Sequence, residues 1–142
     1  MEELKVLYED NHIIVVIKEQ NVPTQSDVSG DCDMLTRVKA YIKEKYNKPG
    51  DVYIGLVHRL DRPTGGVMVF ARTSKSASRL SEQIREGDVQ KKYLAVTSGL
   101  PKKDSGRLEN YLKKNASRNT VEIVPETTTD AKFASLDYSV VQ

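Results

Sequence analysis

An α+β fold, with helices packed on a mixed and largely antiparallel sheet, is what this sequence predicts, and three observations predict it. Apolar runs of strand length recur along the chain, as in Ile13-Ile14-Val15-Val16-Ile17 and Val67-Met68-Val69-Phe70-Ala71. Two other stretches space their apolar residues at helical intervals and fall between the strands. The chain has 142 residues, enough for one domain that buries a substantial core.

Leu4, Val6 and Tyr8 alternate with polar neighbours, Glu9-Asp10-Asn11 supplies turn chemistry, and the run from Ile13 to Ile17 completes a hairpin. Asn21 to Asp33 contains Pro23, Gly30 and small polar residues, which predicts a loop. Asp33 can cap a helix from Met34 to about Tyr46, with Leu35, Val38 and Ile42 on one face and Asn47-Lys48-Pro49-Gly50 as its stop. A short strand is expected near Tyr53 to Val57, and another ends at Ala71. Ser74 is the expected cap of a second helix, with Ala77, Leu80 and Ile84 on its buried face and Gly87 as its terminator. A strand from Tyr93 to Thr97 follows. Lys102 to Arg107 and Lys113 to Arg118 read as basic turns, Val121 to Val124 as a strand, and Ala131 to Val141 as a last strand. That strand pattern is still open at Gln142, so the chain reads as the amino-terminal part of a longer protein.

Composition narrows the function. No apolar run approaches the roughly 20 residues of a membrane span, and Met1-Glu2-Glu3-Leu4 lacks the basic start of a signal peptide. Cys32 is the only cysteine, which rules out an intrachain disulfide and fits a reducing cytoplasm. The net charge of +2 is unevenly placed: residues 1 to 33 hold two basic and eight acidic side chains, residues 34 to 142 twenty basic and twelve acidic. A basic portion of that size suits a polyanionic partner, and equally a solvated surface of mixed charge.

The most informative stretch is His58-Arg59-Leu60-Asp61-Arg62-Pro63-Thr64-Gly65-Gly66, which runs straight into the apolar strand. Charges that abut a buried strand place at least one ionisable group in a partly desolvated setting. Arg59 and Arg62 on either side of Asp61 are expected to favour its ionised form, which serves as nucleophile, base or electrostatic partner. No second carboxylate, Ser-His-Asp set or metal-ligand cluster stands at recognisable spacing, and His12 reads as a turn residue. The Thr64-Gly65-Gly66 turn lacks the Lys-Ser or Lys-Thr of a nucleotide-binding loop. A buried ion pair holding a turn remains the alternative reading of the same residues.

His58 to Ala71 resembles the signature of the RluA family of RNA pseudouridine synthases, in which His-Arg-Leu-Asp is followed two residues later by Thr-Ser-Gly and an apolar strand. Tyr8 to Lys18 is similar to the family's opening hairpin, and Lys91-Lys92-Tyr93-Leu94-Ala95-Val96-Thr97-Ser98-Gly99 to its second motif. The resemblance implies a pseudouridine synthase catalytic domain over residues 1–142 that isomerises uridine in ribosomal or transfer RNA, without metal or other cofactor. It implies Asp61 as the catalyst, Arg59 as the side chain that enters the RNA stack when the uridine flips out, and Tyr93 as the ring that lies against the uracil. His58, Arg62 and Thr64 fall at further substrate-binding positions. Flipping costs a few kcal/mol of stacking, which an inserted side chain and an aromatic face offset.

Four departures accompany the likeness. Gly65 stands where the family has Ser, and Lys18-Glu19-Gln20-Asn21 replaces an Asn-Lys-Pro-x-Gly sequence. The third family motif, whose basic residue pairs with the catalytic aspartate, would lie beyond Val141, and no S4-like domain precedes Leu4. A non-catalytic RNA-binding fragment is therefore the competing expectation.

Overall fold

The computed structural model describes residues 3–118 and 120–141. The chain separates into two compact units, Met1–Lys92 and Tyr93–Gln142, and each builds its own antiparallel sheet. The expected α+β class is present, with two sheets in place of one and antiparallel pairing throughout the described strands. No helix among the described residues is long and apolar enough to cross a membrane.

In the first unit β1 (Val6–Glu9) and β2 (Ile13–Lys18) form the expected hairpin. Its turn is an Asx arrangement in which Asp10 Oδ1 accepts the N–H groups of His12 and Ile13 at 2.7 and 2.8 Å. β4 (Gly66–Ala71) pairs along the whole of β2, and the two-residue β3 (Gly55–Leu56) pairs with the far end of β4, giving the order β1-β2-β4-β3. Pairing of Ile14 with Phe70 and of Val16 with Met68 places four fully buried side chains on one face. Helix α1 (Met34–Lys45) covers that face with Met34, Val38 and Ile42, while Leu35 packs at the margin. Asp33 caps it as expected, accepting the Thr36 N–H at 2.9 Å.

Helix α2 (Ser74–Glu86) begins one residue earlier in its capping than the sequence suggests. Thr73, not Ser74, is the cap, because Ser76 stands three residues on and the pair exchanges hydrogen bonds at 3.1 and 3.3 Å. Gly87 terminates the helix at φ +83. Ala77 packs so closely over Gly55 that a Cβ there would lie 2.9 Å from the Ala77 Cβ. The face carrying Ala77, Leu80 and Ile84 is only half covered.

The second unit contains β5 (Ser105–Asn115), β6 (Thr120–Val124) and β7 (Lys132–Ser139) in the order β6-β5-β7. Lys113, Lys114 and Asn115 belong to β5 rather than to a turn, because they pair with Glu122, Val121 and Thr120. The turn shrinks to the residues after Asn115, whose side chain accepts from Ser117 Oγ and from the Arg118 N–H. The expected strand from Tyr93 to Thr97 is not formed. A strand exists by pairing, and this run has no ladder partner among the described residues, which leaves Leu94 and Val96 exposed.

Candidate active site

The loop between β3 and β4 is held from beneath by polar groups of residues 18–24. Ile14, Val16 and Lys18 point inward in turn along β2, so the alternation that builds the core also buries Lys18 completely. Its ammonium donates to the carbonyl oxygens of Thr64 at 2.7 Å, Arg62 at 3.1 Å and Glu19 at 3.2 Å. Burial pushes its pKa down, the Asp61 carboxylate opposes that shift, and the Arg62 charge adds to it. Thr24 Oγ1, also buried, donates to the Leu60 carbonyl at 2.7 Å and accepts the Leu60 N–H at 3.3 Å.

Asn21 completes the support. At φ +65 it takes a left-handed turn that asparagine tolerates, and its N–H donates to the Arg62 carbonyl at 2.8 Å. Gly65 is closed against the same strand end: a Cβ there would lie 3.1 Å from Gln20 Cγ and 3.3 Å from the Lys18 carbonyl oxygen. The two departures, at residues 18–21 and at Gly65, are therefore in mutual contact. A turn in which Thr64 N–H donates to the Asp61 carbonyl at 3.0 Å finishes the loop. Leu60 sinks into the core, and the next residue, Asp61, is exposed.

His58 is half-buried, and its Nε2 accepts the Val69 N–H at 3.0 Å, just past the end of the two-residue β3. Burial lowers its pKa, and Lys91 adds to that shift, so the neutral ring is the favoured form. The desolvated groups are thus His58 and Lys18 rather than Asp61. The expected flanking of Asp61 by two arginines is not observed. The Arg62 guanidinium turns to Asp27, Ser29 and Asp31, and Arg59 is exposed without a hydrogen bond among the described residues. The Asp61 carboxylate makes no hydrogen bond or ion pair among the described residues, which leaves it open to a ligand.

His58, Arg59, Asp61, Arg62 and Thr64 all lie on this loop, Thr64 bonding through its backbone and Arg62 directing its guanidinium to residues 27–31. Tyr93 is the first residue of the second unit and is exposed. Sequence reasoning missed Lys18 and Thr24 as loop supports. The signal for Lys18 was its inward position on β2; for Thr24, a single threonine in a polar loop, there was none.

The family model described as RNA pseudouridylate synthase matches residues 12–142. Ribosomal large subunit pseudouridine synthase C of Escherichia coli K12 is 34% identical over 119 residues, covering 84% of this chain and 35% of that protein. The synthase C of Buchnera aphidicola from Baizongia pistaciae is 33% identical over 119 residues, with 84% and 36% covered. Synthase D of Xanthomonas campestris is 41% identical over 96 residues, with 68% and 28% covered. The chain thus spans about a third of the length of these relatives. Human RNA Pseudouridylate Synthase Domain Containing 4 shares the fold at a TM-score of 0.78 and 22% identity, over 95% of this chain and 52% of that one. Matched over nearly its whole length, and carrying an open aspartate on a loop braced from its opening hairpin, the chain belongs to the RNA pseudouridylate synthase family.

Proposed function

We propose that the protein containing this chain converts uridine to pseudouridine in structured RNA, ribosomal RNA foremost, with Asp61 as the catalytic residue. In that reaction the N1–C1′ glycosidic bond breaks, uracil turns, a C5–C1′ bond forms, the C5 proton leaves and N1 gains one, so no cofactor is consumed. The observation that carries this reading is an exposed, internally unpartnered carboxylate on a loop whose backbone is fixed by buried Lys18, Thr24 and Asn21 contacts. A fixed loop supplies the preorganisation that catalysis needs. Attack on the sugar, addition to the base and removal of a ribose proton all require such a carboxylate.

Arg59, exposed two residues before Asp61, fits insertion into the RNA stack in place of the flipped uridine. Tyr93 serves as the aromatic face for the uracil, and the basic excess of residues 34–142 draws in phosphate. His58 and Thr64 serve substrate binding by shaping the loop rather than by direct contact. The chemistry takes place in the cytoplasm. Ribosomal RNA is the named substrate class of the relatives above, and transfer RNA is the alternative.

The test is site mapping in RNA from cells that lack the gene. Ribosomal RNA is treated with the full-length protein, then with a carbodiimide that remains attached to pseudouridine, and read by primer extension. New stops at one or a few uridines are expected; their absence from both ribosomal and transfer RNA overturns the reading. A second reading, RNA binding without turnover, applies to residues 1–142 taken alone, since the chain spans only 28% to 36% of the relatives named above. It is supported if this chain retains RNA in a salt-dependent manner and produces no stops.

A further inference from the structure

Residues 25–32 form an arch that is exposed at every position. Its feet are fixed. Pro23, Thr24, Asp33 and Met34 are buried, the Met34 N–H donates to the Pro23 carbonyl at 2.9 Å, and the Leu35 N–H donates to the Thr24 carbonyl at 3.1 Å. Surface loops closed at the base in this way frequently carry function. Between the feet no apolar contact anchors the arch, because Val28, its one aliphatic side chain, is fully exposed. Among the described residues its hydrogen bonds are internal to residues 25–32, except those made to the Arg62 guanidinium.

The crown of the arch is arranged around that guanidinium. Arg62 Nη1 donates to Ser29 Oγ at 2.8 Å and lies 3.3 Å from Asp27 Oδ2, while Nη2 pairs with Asp31 Oδ2. Gly30 at φ +72 turns the chain back, so that both carboxylates reach one cation. Hydrogen bonds from Ser29 hold the Asp27 carboxyl below its usual range, and the Arg62 guanidinium does the same for Asp31, which keeps both ionised at neutral pH. Anionic oxygens set around a planar fork are what a phosphate group also offers to arginine. The pairs are exposed, with side-chain accessibilities of 40% for Arg62, 38% for Asp27 and 54% for Asp31, and exposed pairs hold weakly. The backbone of Arg62, by contrast, is fixed through its carbonyl by Lys18 and Asn21. It lies next to Asp61, with the two Cα atoms about 3.8 Å apart.

We propose that the arch is an intramolecular stand-in for RNA: the Asp27 and Asp31 carboxylates occupy the Arg62 guanidinium in the free protein, and a phosphate of the strand bound at Asp61 displaces them. This rests on the reading of the Asp61 loop as the RNA site. The competition favours long polyanions. A strand already held elsewhere presents its phosphates at high effective concentration and gains further from counterion release, whereas an isolated anion has neither advantage.

The test crosses Asp27→Asn plus Asp31→Asn with Arg62→Gln in the full-length protein. The dissociation constant for ribosomal RNA from cells that lack the gene is read by filter retention at one salt concentration. With Arg62 present, neutralising the arch tightens binding about fivefold, because the competitor is gone. In the Arg62→Gln protein the same two substitutions tighten binding by less than about twofold, the part due to removing negative charge near a polyanion. An equal gain in both backgrounds shows that the carboxylates merely repel RNA. No gain, or a loss, with Arg62 present shows that the pairs persist in the complex. Either result overturns the proposal. Retention does not require turnover, so a wild type that retains RNA without converting it overturns the functional reading alone, and one that retains no RNA overturns both.

Discussion

The two units are built from the same kind of strand, yet only one has a core. In the first, Ile14, Val16, Met68 and Phe70 are buried beneath α1. In the second, no described residue from 93 to 141 is buried. The second sheet is nonetheless two-faced in part. Its register puts Leu108, Leu112, Val121, Ile123, Ala134, Leu136 and Tyr138 on one side, with Asn110, Lys114 and Lys132 among them, against Arg107, Glu109, Glu122 and Asp137 on the other, where Tyr111, Val124 and Phe133 form the apolar part. Leu136 is 53% exposed and Ile123 70%. Alternation thus specifies a strand and chooses its inner face, but a second layer is needed to make that face a core. The Asp61 loop is rooted in the unit that has such a layer.

That contrast can be broken or sharpened by substitution. Phe70→Ala in the first unit should cost about 3–5 kcal/mol in urea unfolding, the usual penalty for emptying a fully buried aromatic site. Lys18→Met keeps the volume but removes the ammonium donor of the Thr64 and Glu19 carbonyls and one of the two donors to the Arg62 carbonyl, with an expected loss of about 1–3 kcal/mol. Turnover should fall further than stability accounts for, because two of the carbonyls concerned, of Arg62 and Thr64, are those of the Asp61 loop; a variant with lower stability and unaltered kcat would detach Lys18 from function.

His58 yields a pH signature. Its folded pKa lies below the ordinary value near 6.5, so its stabilising effect is complete above that pH and is lost as pH falls through the folded pKa. His58→Gln retains an acceptor for the Val69 N–H and does not titrate. Thermal melts from pH 7.5 to 5 should therefore fall more steeply for the wild type than for the variant, and parallel curves would refute the linkage. At the small end, Leu136→Ser in the second unit should change stability by about 0.5 kcal/mol or less. A loss several times larger in the full-length protein would mean that this face is covered there.

Much of this was legible in the sequence for a physical reason. Hairpin, α1 and β4 are signalled by local pattern and by Asp33, a cap read from a single residue. The motif from His58 to Gly66 stood out as a candidate site because charges adjoin a core strand. Its electrostatics were not legible. Neighbours in sequence suggested that Arg62 serves Asp61, whereas the pairs actually formed link Arg62 to residues 31 to 35 positions away. Tyr93 to Thr97 shows the same limit from the other side. Its apolar pattern is that of a strand, and pairing is a property of a partner that local pattern does not contain.

The most direct test of the central claim is Asp61→Asn in the full-length protein, which preserves the loop and removes only the carboxylate. Tritium release from ribosomal RNA labelled at uridine C5 is measured alongside retention of the same RNA. The expected result is a loss of release of roughly a thousandfold or more, with binding kept within about threefold, as for removal of a group that acts only in the chemical step. Release within about tenfold of the wild type would show that Asp61 is not the catalyst.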